Sequence, residues 1–354
     1  MSPLGHVAHG IAGAPVRLVH GMAVPVTTAD GTAVSLVRTG TGDHSSAVGR
    51  AVERGWPVIV LDDGEGLSNV GDLGELITAP VVHVTAEHRS GLPADRLVPG
   101  VFDVVLDTGG SSDRRRVADH VVGSVDEAVS ICCRLAALGH RGRADARPGR
   151  VWDDAIVPAA LDRCYDTTVV VDMIVDAGSY APLDDHLYPS CRLGVGRVAG
   201  RPVAVFATTC TADRRPLERT SLRRLQRLRA HTNRLAIPVV SLVDADDIES
   251  GAHADTHERL RDLLITMRQA TNPMIVILTG RALGAAAMAL GAASVESDVV
   301  VGWPRALVSA AADAQAWSAG RAAAEGLIAD VIDPGETRDF VSDILATLVP
   351  DQPS

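Results

Sequence analysis

The residues from Leu278 to Trp303, "LTGRALGAAAMALGAASVESDVVVGW", are rich in alanine and glycine, and their only charges are Arg281, Glu296 and Asp298. Such a stretch can do chemistry mainly through its backbone. A glycine where a strand turns into a helix permits unusual dihedrals and a close approach. The first amides of the following helix have no partner inside it and sit at the positive end of its dipole. Donors placed there can hold a developing enolate or alkoxide oxygen, and one well-placed donor contributes about 3 kcal/mol in a transition state. Gly284 and Ala285 are the candidate donors, with the small side chains of Ala285, Ala286 and Ala287 leaving room for a bulky substrate. The same alanines also suit a tightly packed core helix, and the residues alone leave both readings open.

Other groups could do chemistry too. Asp62, Asp63 and Glu65, and likewise Asp244, Asp246 and Asp247, come after apolar runs. Paired carboxylates could act as acid and base, or as turn and cap residues, which is the favoured reading. His253 and His257 are four apart, but Ala254 stands where a metalloprotease helix needs glutamate, so no metal is expected and a helix start near Gly251 is preferred. "DRRR" (113–116) could meet phosphate, but a solvated loop is the default reading. The five cysteines (Cys132, Cys133, Cys164, Cys191, Cys210) form no CxxC pair, which fits buried, reduced thiols in a cytoplasmic protein. All 33 basic residues are arginine. The chain therefore offers no Schiff-base lysine, no Walker lysine and no lysine to carry biotin or lipoyl.

The elements that would position these groups recur along the chain. "GTAVSLV" (31–37) is echoed by "GRPVAVF" (200–206), and "GWPVIVLDD" (55–63) by "AIPVVSLVD" (236–244). "TAPVVHVT" (78–85) is echoed by "TNPMIVIL" (271–278), and "DVVLD" (103–107) by "DVVVG" (298–302). The offsets are 169, 181, 193 and 195. A helical pattern closes each series, at 125–138 and 337–348. The segments read as short buried strands because they are apolar continuously rather than alternately. Leu222, Leu225 and Leu228 mark a helix over 216–235; Leu260, Leu263, Leu264 and Met267 mark another over 256–270. Strand–helix alternation predicts an α/β fold with right-handed crossovers. The Gly-, Arg- and Asp-rich stretch 139–154 reads as a linker, so two homologous domains are expected, 1–145 and 155–354. The offset of 193 sets Gly91 and Leu92 in the place of Gly284 and Ala285.

The net charge of −11 gives no overall attraction for nucleic acid or an anionic membrane. No apolar run approaches 18 residues, and "MSPLGHVAHGIAGAP" has no secretory pattern.

From Tyr165 onward the sequence resembles the carboxyltransferase (beta-type) subunits of biotin-dependent acyl-CoA carboxylases. The words that carry this are "YDTTVVVDMIVDAGSY" (165–180), "LGVGRVAGRPVAVFA" (193–207), "IPVVSLVDADDIESG" (237–251), "ALGAAAMALG" (282–291), "ESDVVVGWP" (296–304) and "AAAEGLIADVIDPGETR" (322–338). The first half matches only in outline, through "GTAVSLV", "ERGWPVIVLDDGEG" and "VFDVVLD". The resemblance implies two tandem crotonase/ClpP-like domains, the first divergent and shortened. It implies backbone oxyanion holes, one per domain, for a thioester enolate and for the ureido oxygen of carboxybiotin. Gly284 and Ala285 would form the second-domain hole, and Gly91 and Leu92 its weaker first-domain counterpart. Gly251 and Arg224 are candidates for contact with substrate. A solvated surface is the alternative for Arg224, because its helix also carries Arg219, Arg223, Arg227 and Arg229.

The implied substrate is an acyl thioester on CoA or an acyl carrier. Biotin would sit on a separate carrier protein, as a lysine-free chain requires. A homo-oligomer, or a hetero-oligomer with a homologous subunit, is implied, with biotin carboxylase and carrier protein as partners. The first domain departs from the family's Gly-Gly-Ala turn, with Leu92 adding bulk and Pro93 lacking an amide hydrogen. A thioester decarboxylase or lyase on the same scaffold, and a non-catalytic subunit, are therefore the alternatives.

Overall fold

The computed structural model describes residues 2–39, 45–62, 76–85, 98–107, 118–139, 149–157, 161, 164–183, 190–209, 217–246, 248, 254–292, 297–309 and 315–349. These residues fall into two compact units, 1–141 and 142–354. No helix among them is long and apolar enough to cross a membrane.

The first unit runs α1 (Pro3–Ala12), β1 (Ala23–Thr27), β2 (Ala33–Thr39), α2 (Ser45–Val52), β3 (Val58–Asp62), β4 (Val81–Thr85), β5 (Val101–Leu106), β6 (His120–Val122) and α3 (Val125–Ala137). Its six strands pair in chain order, antiparallel between β1 and β2 and parallel thereafter. Helix α1 starts at Ser2, whose hydroxyl caps the Gly5 amide, with Pro3 in the first turn where its missing N–H costs nothing. Its stripe of Leu4, Val7 and Ile11 is buried, and Gly10 lets α3 approach: a Cβ there would sit 2.6 Å from a Val129 methyl.

The second unit runs α4 (Thr167–Ile174), β7 (Ala181–Pro182), β8 (Cys191–Val198), β9 (Arg201–Thr208), α5 (Arg219–Arg234), β10 (Val239–Ala245), α6 (Ala254–Gln269), β11 (Met274–Leu283), α7 (Gly284–Ala289), β12 (Val299–Gly302), β13 (Leu307–Ser309), β14 (Trp317–Ser318), α8 (Ala319–Ala324), β15 (Asp330–Val331) and α9 (Thr337–Leu348). Here too an antiparallel hairpin, β8–β9, leads into parallel neighbours β10, β11, β12 and β15. The far half of β11 pairs instead with β13, which is joined by β14. Val170, Val171 and Ile174 of α4 and Val341 and Leu345 of α9 pack with Val203, Val205, Val240, Leu242, Ile275 and Ile277 of the sheet. Fully buried Trp303 joins this core and donates from Nε1 to Thr337 Oγ1 at 2.9 Å. Within the expected linker, Gly149 packs on carbonyls of α4, where a Cβ would lie 2.4 Å from Val175 O, and Trp152 meets Trp303 edge-on at 5.8 Å.

Strand pairing corrects one sequence equivalence. Met274 and Val81 begin corresponding strands, so the 193 offset holds there. Asp103 pairs with His83 and Val300 pairs with Val276, so the fourth offset is 300 − 103, or 197, rather than 195. The "DVV" words mislead by two residues because strand side chains repeat every two.

Two sites of buried charge were not legible as such. Of the arginines on α5, Arg227 is 7% and Arg229 1% exposed, so the helix is not a uniformly solvated face, the alternative raised for Arg224. Arg229 donates from Nη1 to Asn272 Oδ1 at 2.6 Å and from Nη2 to the Asn272 carbonyl at 3.3 Å. Burial lowers its pKa to about 10, partly offset by the charge of Asp298. Asn272 in turn donates to the Ile237 carbonyl, tying α5 to the start of β10 and β11. Asn272→Ala should therefore cost about 2–3 kcal/mol in urea unfolding, since it strips an acceptor from a buried cation. A loss below about 0.5 kcal/mol would show that the pair is not buried in solution.

The other is His83, on β4. Its Nδ1 lies 3.0 Å from Asp103 Oδ1 and its Nε2 lies 3.2 Å from Asp62 Oδ2, and Thr39 Oγ1 donates to Asp62 Oδ1 at 3.0 Å. Carboxylates only accept, so both ring nitrogens carry protons and the ring is an imidazolium. Burial pulls its pKa down, but hydrogen bonds to Asp103 and Asp62 and the charges of both carboxylates outweigh that and push it up to about 9. The equivalent residues of the second unit, by strand register, are Val243, Val276 and Val300.

Candidate functional site

In sheets of parallel strands the carboxyl ends are where ligands are bound. In the second unit β9, β10 and β11 end at Thr208, Ala245 and Leu283. Their ends are cross-tied by hydroxyls. Tyr165 donates to Thr279 Oγ1 at 2.7 Å, and Thr279 donates to the Val243 carbonyl at 3.2 Å. Thr208 donates to the Leu242 carbonyl at 3.3 Å and accepts from the Asp244 amide at 2.5 Å. The Arg305 guanidinium lies 5.6 Å above the Tyr165 ring.

Beyond these ties the chain leaves β11 through Leu283, extended at φ −118, and enters α7 at Gly284, which has φ 56. That left-handed value costs a residue with a Cβ about 1–2 kcal/mol, which is why glycine serves here. Ala286 and Ala287 are buried and Ala285 is half-buried. Ser241 Oγ donates to the Leu290 carbonyl at 2.9 Å and holds the far end of α7 on β10. Helix α7 is thus both packed and placed at the strand ends, so the two sequence readings of its alanines are compatible.

Gly284 and Ala285 stand together at this turn. Gly91, Leu92 and Gly251 lie outside the described residues, as do Asp63, Glu65, Asp247, His253 and Cys210. Arg224 is half-buried on α5 and donates from Nη1 to the Leu183 carbonyl at 3.2 Å, just past β7. Strands β8, β9 and β10 separate that edge from β11. His257 is exposed, and no group of three metal-binding side chains suited to an ion occurs among the described residues. Asp244 and Asp246 both engage Arg281. Asp244 Oδ1 accepts from the Arg281 amide at 2.9 Å, and Asp246 Oδ1 lies 3.3 Å from Arg281 Nη1. Sequence reading missed Arg281; its place as the first charge before the Gly284 turn was the available signal.

Residues 136–318 match the carboxyl transferase domain family. The propionyl-CoA carboxylase beta chain of Saccharopolyspora erythraea is 26% identical over 159 residues, 44% of this chain and 29% of that protein. The biotin-dependent acetyl-/propionyl-coenzyme A carboxylase beta6 subunit of Mycobacterium tuberculosis is 27% identical over 199 residues, 54% of this chain and 42% of that protein. The chain thus spans less than half the length of these relatives. Among solved structures, transcarboxylase 12S, a hexamer with methylmalonyl-coenzyme A and methylmalonic acid bound, aligns with a TM-score of 0.74 at 18% identity, covering 94% of this chain and 82% of that one. A single-chain, multi-domain long-chain acyl-CoA carboxylase aligns at 0.68 and 18% identity, covering 91% and 41%. The fold is therefore the crotonase-like α/β fold of the carboxyltransferases.

Proposed function

The chain belongs to the carboxyl transferase domain family, and from that premise we propose that it is the carboxyltransferase component of a biotin-dependent acyl-CoA carboxylase. It would move carboxylate from carboxybiotin, delivered on a separate carrier protein, to the α-carbon of an acyl thioester. The observation that carries this reading is the turn at the end of β11, where left-handed Gly284 opens a short, alanine-lined helix at the carboxyl ends of three parallel strands. In this account the amides of Gly284 and Ala285 hold the thioester oxygen as the enolate forms. No side-chain nucleophile is needed. The two units are read as copies of one domain, with Gly91 and Leu92 as the weaker first-domain counterpart, and the chain as part of an oligomer with itself or a homologous subunit. Gly251 and Arg224 remain substrate-contact candidates.

A second reading is a thioester decarboxylase, favoured by the sequence at Leu92 and Pro93, which departs from the family's Gly-Gly-Ala, since loss of carbon dioxide needs only one oxyanion hole and a proton. Supplied with a biotin carboxylase and its carrier, the chain is expected to fix labelled bicarbonate into acetyl- or propionyl-CoA. Carrier-free decarboxylation of malonyl-type thioesters would favour the second reading instead. Silence in both assays, with a homologue co-purifying, would leave a non-catalytic subunit.

A further inference from the structure

The path from β11 into the Gly284 turn is set by an irregularity of the sheet. Val243 of β10 pairs with Leu278 of β11, but Ala245 pairs with Ala282. One residue on β10, Asp244, therefore faces three on β11: Thr279, Gly280 and Arg281. A bulge of this kind bends its strand and re-aims the residues beyond it. On β11 those residues are Ala282, Leu283 and the turn at Gly284.

The bulge is filled by one side chain. The Asp244 carboxylate lies directly on Gly280, where an added Cβ would fall 2.2 Å from Asp244 Cγ and 2.3 Å from both carboxylate oxygens. The same carboxylate accepts from the Arg281 amide at 2.9 Å, an N–H that the bulge turns away from the ladder. Asp244 is itself fixed from the other side, its amide donating to Thr208 at the end of β9. Arg281 is held at its far end by Asp246 at 3.3 Å. Thr279, the first residue of the bulge, is pinned between the Tyr165 hydroxyl and the Val243 carbonyl. Two of the three residues of the bulge, Gly280 and Arg281, thus meet the Asp244 carboxylate.

We propose that Asp244 is a positioning residue, whose carboxylate shapes the Thr279–Arg281 bulge and so fixes where the Gly284–Ala286 backbone lies. The proposal deepens the carboxyltransferase reading and rests on it for its kinetic consequence. In this account Asp244 acts through the three residues that lead to the turn. Misplacement of a reacting geometry by about 1 Å costs on the order of 100-fold in rate.

Three variants separate positioning from other roles. Asp244→Asn keeps the shape and an oxygen for the Arg281 amide, and is expected to lose no more than about five-fold in kcat. Asp244→Ala leaves the bulge unfilled and Gly280→Ala drives a methyl into the carboxylate; each should lower kcat by about 100-fold while KM for the thioester stays within about three-fold. In Asp244→Ala, hydrogen exchange should speed up over 279–287, with the rest of the second unit unchanged. Equal loss in Asp244→Asn and Asp244→Ala would overturn the proposal, since the charge rather than the shape would then matter. Wild-type kcat in Asp244→Ala, or unaltered exchange over 279–287, would overturn it too. Should the wild-type chain carry out neither reaction, the carboxyltransferase reading falls, while the exchange measurement still decides the role of Asp244.

Discussion

Gly284→Val is expected to lower turnover by about 100- to 1,000-fold, the cost of losing one oxyanion donor, while the fold and oligomeric state persist. Gly284 holds φ 56, a region closed to β-branched residues without strain. Valine there must pull the backbone toward negative φ, and that rotates the amides at the start of α7. The strain amounts to about 1–3 kcal/mol, less than the 5–15 kcal/mol by which domains are ordinarily stable. Circular dichroism and size-exclusion chromatography should therefore match wild type. Gly284→Ala, with less strain, should fall between the two. Full turnover in a folded Gly284→Val protein would remove the amides from the chemistry.

The second large effect concerns stability. His83→Ala should destabilise the first unit by about 3 kcal/mol, because it leaves buried Asp62 and half-buried Asp103 without the cation that pairs both. Replacing all three at once, Asp62→Val with His83→Val and Asp103→Val, should stay within about 1 kcal/mol of wild type or exceed it. The second unit supplies the precedent, since its sheet carries valine at all three equivalent positions. Urea unfolding of both proteins checks this, and a triple variant as unstable as His83→Ala would contradict it. The pH dependence has a definite sign. His83 is held protonated in the folded chain, with its pKa raised from 6.5 to about 9. Its contribution is therefore complete below about pH 6.5 and is lost as pH rises through about 9. The triple variant should lack that alkaline loss.

Much of the fold was legible because both units write their strands as continuous β-branched runs and close with a similar helix pattern. Valines and isoleucines at 58–61, 239–243 and 274–278 sit in strands as their type and run length require. What escaped has a common cause. The His83 cluster is assembled from β3, β4 and β5, so no local spacing announces it. Arg229 reads as surface on a helix rich in arginine, and Asn272, 43 residues away, together with the charge of Asp298 makes its burial tolerable. The Asp244 bulge is an irregularity of pairing between two strands, and one chain's pattern shows only a glycine after a threonine. The Gly284 turn was legible for the opposite reason: strand, glycine and helix start are neighbours in sequence, and the family words bracket them.

The central claim is that backbone amides at the Gly284 turn polarise the carbonyl that reacts. A crystal structure of the chain with a stable acyl-thioester analogue tests it most directly. The account predicts the thioester oxygen at about 3 Å from the backbone nitrogen of Gly284 or Ala285. A thioester seated elsewhere, with those amides donating to carbonyls of the chain itself, would contradict it.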